Sequence, residues 1–219
     1  MEAIKIENSL LPIKSLQYFL VILFFHLVIA FCINFFFINE TVFYNTYADM
    51  FAYERAMEIF SVQSRYQWIG YILLPVTLII KIIYNTTCVT VGSLLHQERG
   101  EFESNFNICL KAEYVFVAML LVKLAFFAFF KEVETLNDLG FIPGSLLNLF
   151  DANEVPKWAI YPLQTINIWE VWFCWVGTSL YSIQFNISKA KAAALFCIPY
   201  LIGLFIWILV VVFITLQST

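Results

Sequence analysis

Six side chains carry the chemistry this sequence offers: His26, Lys81, Glu113, Lys123, Asn167 and Glu170, each inside or at the edge of a long apolar run. A charge at membrane depth is costly, faces the interior of a helix bundle and finds a partner there. A line of such groups is what a proton path, an ion path or a lipid-headgroup site needs. The same groups in pairs fix helix register and do no chemistry. Lys123 stands about nine residues into its run and Glu170 about ten into the next, so at ~1.5 Å per residue both reach about 15 Å, near the middle of a ~30 Å core. The two runs are antiparallel, and equal depth predicts a Lys123–Glu170 ion pair. Glu113 opens the third run at its cytoplasmic end, where it is the expected partner of Lys81. Acid and base in one bundle favour the structural reading, and a lone His26 on an apolar helix reads as hydrogen-bonded structure.

Helical periodicity places these groups. Gln164, Asn167, Glu170, Cys174, Gly177, Thr178 and Tyr181 recur at steps of three and four and form one polar, small-residue stripe. Thr77, Lys81, Asn85, Cys88 and Gly92 form a second stripe, and His26, Ala30 and Asn34 a third.

Catalytic signatures are missing. The sequence has no G-x-S-x-G, H-E-x-x-H, Walker A or G-x-G-x-x-G motif. Two histidines, His26 and His96, are too few for a His-rich metal enzyme. The five cysteines (Cys32, Cys88, Cys109, Cys174 and Cys197) are dispersed without a C-x-x-C, which fits neither a disulfide framework nor a zinc site. They read as small hydrophobes. No cofactor is expected, and the expectation is not an enzyme.

Composition supplies the solvent. The 219 residues are 62% hydrophobic and 13% charged, with a mean hydropathy of +0.82, against about 45–50% and about 25% in a typical globular domain. Only a bilayer accommodates that much apolar surface, and too little chain remains for a soluble catalytic or nucleotide-binding domain. A net charge of −4 and a pI near 5.2 give no basic footprint for nucleic acid.

Lipid leaves backbone groups no partner but each other, so each apolar run is expected to be a helix. The reading is all-α with five transmembrane spans, at about residues 15–38, 68–91, 114–130, 158–183 and 192–216, after an N-terminal tail of residues 1–14. Lys5, Lys14, Arg99, Lys111, Lys189 and Lys191 fall on the N-terminal side, and Arg55, Arg65, Lys131 and Lys157 on the other. This bias, sharpened by the short Lys189/Lys191 loop, places the N-terminus in the cytoplasm and the C-terminus outside. The external loops, 40–66 and 131–157, are acidic. Phe43, Tyr47, Met50, Phe51, Met57 and Phe60 predict an amphipathic helix on the membrane in the first. Phe141–Phe150 is apolar but too short to span, which predicts an interfacial or re-entrant turn.

Val91-Gly-Ser-Leu-Leu-His-Gln-Glu-Arg-Gly-Glu-Phe-Glu-Ser-Asn-Phe106 resembles the short cytoplasmic turn before the third span of the Yip-one domain family. Asn167-Ile-Trp-Glu-Val-Trp172, followed by Asn186-Ile-Ser-Lys-Ala-Lys-Ala192, is similar to that family's fourth span and its entry into the fifth. The resemblance covers about residues 68–216 and implies a five-span membrane protein. The Asp-Leu-x-Gly-Pro element and long N-terminal region of eukaryotic members are absent, so the resemblance implies a bacterial member in the inner membrane, with a eukaryotic endomembrane as the alternative. The expected function is a non-catalytic accessory or scaffold subunit whose partners are the bilayer and other membrane proteins. A subunit of a small transporter or channel and a membrane enzyme acting on lipid are the alternatives.

Overall fold

The computed structural model describes residues 2–96, 101–151 and 155–217. Among them no strand forms; one isolated antiparallel bridge joins Ser145 to Asn167. The chain runs through α1 (Glu2–Phe37), α2 (Glu40–Tyr47), α3 (Tyr53–Tyr66), α4 (Trp68–Leu95), α5 (Phe102–Ala112), α6 (Tyr114–Phe129), two 3-10 turns (Leu136–Gly140 and Leu146–Leu149), α7 (Lys157–Thr165), α8 (Ile168–Phe185) and α9 (Lys189–Gln217). Arg99 and Glu154, and the side chains of Lys5 and Lys14, lie outside what is described.

Four stretches are long and apolar enough to cross a bilayer: Ser15–Phe37, Trp68–Leu95, Phe102–Phe129 and Lys189–Gln217. The third starts at Phe102, not at residue 114, because α5 and α6 continue through Glu113 with only a slight change of backbone (φ −59, ψ −20). Asn105, Cys109 and Glu113, four residues apart, all turn inward, while Glu103 and Lys111 remain exposed. Charges that resemble a loop in sequence therefore sit on the two faces of one helix.

The fourth expected span, 158–183, is not one helix. It breaks between Thr165 and Ile168, where Ile166 and Asn167 are extended. The break is held from outside: Leu146 N donates to the Ile166 carbonyl (2.8 Å) and Ile168 N to the Gly144 carbonyl (3.2 Å). Gly144 has φ +72, and a Cβ there would stand 2.7 Å from Ile168 Cδ1, so a glycine is needed for both reasons. Asn167 then starts α8, its side chain accepting from the backbone N–H of Trp169 and Glu170.

α9 packs against α4, α7 and α8; α8 also meets α5 and α6, and α1 lies along α4, α5 and α6. Two glycines allow the closest approaches: Gly92 faces the ring of Pro199, and Gly177 the ring of Phe196. Buried apolar side chains such as Ile22, Ile82, Val89, Phe173, Phe196 and Tyr200 fill the space between.

The first acidic loop forms two short helices, α2 and α3, closed around buried Phe43, whose ring lies 4.9 Å from that of Tyr47 and 5.3 Å from that of Phe60. The second loop locks onto the first: Leu136 N donates to Thr46 Oγ1 (2.8 Å) and Asn45 Nδ2 to the Glu134 carbonyl (3.3 Å). Phe141–Phe150 is ordered as a turn, with Leu147 buried and the Pro143 carbonyl accepting from Trp169 Nε1 at 2.7 Å.

Candidate functional site

The polar side chains inside the bundle begin at the α4–α5 interface. The two helices run antiparallel, and their polar residues meet rung by rung: Lys81 Nζ with Glu113 Oε1 (2.6 Å) and Thr90 Oγ1 with Asn105 Nδ2 (3.0 Å), with Thr86 and Cys109 in contact between them. Steps of four or five on α4 answer steps of four on α5, as neighbouring faces require. Lys81 lies halfway along the 28-residue α4, and Glu113 near the middle of the 28-residue Phe102–Phe129 stretch.

Around this pair the other helices add one titratable side chain each. His26 comes from α1, its Nδ1 2.9 Å from the Ile22 carbonyl. Glu170 comes from the first turn of α8, and Tyr200 of α9 donates its hydroxyl proton to Glu170 Oε2. Both Lys81 and Glu113 lie close enough to act electrostatically on His26 and on Glu170. Aromatic rings bridge the gaps: Lys81 Nζ stands 3.4 Å over the Phe116 ring, Phe116 lies 5.3 Å from Phe173, and Phe173 lies 4.7 Å from Tyr200. Each of five helical segments thus contributes one group to a single layer: α1, α4, the α5–α6 stretch, α8 and α9.

Four of the six residues singled out in the sequence meet here: His26, Lys81, Glu113 and Glu170. Lys123 does not. Its Nζ donates to the Leu139 carbonyl at 2.6 Å, and the expected Lys123–Glu170 pair is not formed. Counting the third span from Tyr114 made Lys123 look central; counted from Phe102 it lies toward the C-terminal end of that stretch and reaches the loop that follows it. Asn167 is a helix cap, and its Nδ2 also donates to the carbonyls of Gln164 and Thr165 (both 3.0 Å), tying α7 to α8.

Tyr200 and Phe116 sit in this layer without a signal in the sequence, since an aromatic residue in an apolar run looks like lipid-facing bulk. The Asn105–Cys109–Glu113 spacing is a readable signal for the α5 face. Further along α8, Thr178 Oγ1 meets Cys197 Sγ (3.0 Å), and Tyr181 OH meets Ser93 Oγ (2.8 Å). From Glu170 to Tyr181 the stripe read on the fourth run is therefore an inward face, whereas Gln164 lies on α7, before the break.

Among the described residues no group of three or more His, Cys, Asp or Glu is placed to hold a metal ion. One oxygen of the layer, Glu113 Oε2, is buried without a hydrogen-bond partner. A separate cavity of about 230 Å³ lies at the C-terminal end of α1, between α1 and α3, lined by Asn34, Phe60, Gln63 and Gln67 among others. No family model, curated protein or solved structure matches the chain.

Proposed function

We propose that the protein is a non-catalytic, multi-pass membrane protein with five crossing segments, the shorter α8 serving as the fourth. Its N-terminus lies in the cytoplasm and its C-terminus outside, and it works as an accessory or scaffold subunit of a complex in a bacterial inner membrane. The observation that carries this reading is that the charges buried inside the bundle close on partners within the chain. Lys81 holds Glu113 and Tyr200 holds Glu170, the arrangement expected when buried polar groups set register. By contrast, only 11% of the α1 span window is buried, and Phe24, Phe31, Phe35 and Phe36 project outward from it. That face is available to lipid and to neighbouring helices. The resemblance to the Yip-one domain family agrees with five segments and belongs to the same proposal.

The test is isolation from native membranes in lipid nanodiscs. A second membrane protein held at fixed stoichiometry, and lost when Phe24, Phe31 and Phe35 are replaced by alanine, is the expected result. A homo-oligomer that instead carries ions or protons across liposomes would favour a transporter or channel subunit and overturn the scaffold reading. Orientation is read by cysteine labelling, with position 189 reacting from the cytoplasmic side and position 140 from the outside.

A further inference from the structure

The central layer holds an unequal number of charges. Two carboxyl groups, Glu113 and Glu170, face one ammonium, Lys81. Glu113 is bonded to Lys81 at 2.6 Å and is 1% exposed. Among the described residues no basic group lies within ion-pair distance of Glu170; its contact is the Tyr200 hydroxyl. The remaining candidate for a balancing charge is His26, whose Nδ1 is engaged with the Ile22 carbonyl and whose ring forms no ion pair with either acid. The other titratable group near Glu170 is the thiol of Cys174 on its own helix, itself in contact with Cys197 of α9, and neither adds positive charge. Uncompensated charge is the most expensive state for a group at this depth.

We propose that the layer is a proton-binding site, in which Glu113 is the fixed counter-ion of Lys81 and Glu170, oriented by Tyr200, carries one exchangeable proton at neutral pH. This goes beyond a register-setting role, since it gives the bundle a bound chemical species, and it stands whether or not a partner subunit is found. The charge count also makes the site adjustable. Removing the base leaves both acids protonated, and removing Glu113 makes Glu170 the counter-ion, so the proton is lost.

The probe is a hydrophobic carbodiimide applied to the full chain in bilayers at neutral pH, with adducts mapped by mass spectrometry. A protonated carboxyl transfers its proton to a carbodiimide nitrogen while its oxygen adds to the central carbon; an ionised one reacts poorly. The expected pattern is one adduct per chain at Glu170, a second at Glu113 in Lys81→Met, and loss of the Glu170 adduct in Glu113→Gln. Infrared spectra of the wild-type protein give a measurement without carbodiimide: a protonated-carboxyl band, lost in Glu170→Gln. Absence of both adduct and band in the wild type, or a Glu170 adduct that persists in Glu113→Gln, overturns the proposal. An adduct missing in the wild type but present in His26→Gln would place the proton on the imidazole and likewise overturn it.

Discussion

Lys81 and Glu113 form an ion pair whose two ends are unequally hidden: the carboxylate side chain is 1% exposed and the ammonium side chain 40%. Lys81 can bend its stem toward a more polar region; Glu113, at the α5–α6 junction, has nowhere to go. Lys81→Met should therefore destabilise the protein more than Glu113→Gln. The scale is about 3 kcal/mol, as for a central charge in a membrane helix. The double mutant should be less damaged than the sum of the singles, with a coupling of about 0.5–3 kcal/mol. Thermal unfolding in a fixed lipid reads this cycle, and strict additivity would deny the pair any energetic role.

The contact between Gly92 and Pro199 makes a second test. A Cβ on Gly92 would lie 2.0 Å from Pro199 Cγ and 2.5 Å from its Cβ, and a proline ring cannot rotate away. Gly92→Ala should cost about 1–3 kcal/mol through overpacking and loosen α9 from α4. Gly70 on the same helix has nothing within 4 Å of such a Cβ, so Gly70→Ala serves as the neutral control. Equal stability of the two variants would mean α4 and α9 are not this close.

Asn167 holds the broken helix at both sides of the gap. Asn167→Ala removes the acceptor for Trp169 and Glu170 and the donor to Gln164 and Thr165, and should cost about 0.5–2 kcal/mol. Asn167→Asp keeps the cap and loses the donors, so it should fall between. Hydrogen exchange at Trp169 and Glu170 reads the cap directly: it should quicken in Asn167→Ala and stay slow in Asn167→Asp.

The loop between α6 and α7 should be sensitive to acid. Burial alone would raise the Asp138 carboxyl. The Lys131 ammonium, 2.7 Å away, and the backbone and side chain of Thr135 outweigh it and hold the group below its ordinary 3.8. A depressed carboxyl stabilises the fold above its unfolded value, and that contribution is lost as pH falls through the folded one. The 3-10 turn Leu136–Gly140 should therefore hold at neutral pH and loosen below about pH 4. Exchange of the Asp138 and Phe141 amides follows it, and Asp138→Asn should abolish the pH dependence.

Most of the apolar runs and the inward stripes were legible in the sequence because each follows helical periodicity and length. The stripe from Glu170 to Tyr181 packs inward as its spacing predicts, and Lys81 does meet Glu113. The third helix was read short because Glu103, Lys111 and Glu113 look alike as letters, although only Glu113 shares a face with Asn105 and Cys109. That one boundary moved Lys123 to the middle and gave Glu170 the wrong partner. The break at Ile166 is not written locally. It depends on Gly144 and Leu146, whose backbone bonds reach across more than a helix of intervening chain.

With α8 as the proposed fourth crossing segment, the molecule would present a belt of uneven hydrophobic thickness. At ~1.5 Å per residue α4 spans about 42 Å and α8 only about 27 Å, against a hydrocarbon core near 30 Å. The side chains that α8 turns outward, from Ile168 through Val171 and Trp175 to Ile183, cover a shorter band still. Acyl chains beside α8 must shorten or tilt, whereas those beside α4 and α9 must stretch or let those helices lean, and such mismatch costs fractions of a kcal/mol per Å. On that reading the protein would deform the surrounding leaflets asymmetrically and, in a membrane of mixed chain lengths, gather the shorter lipids along its α8 flank.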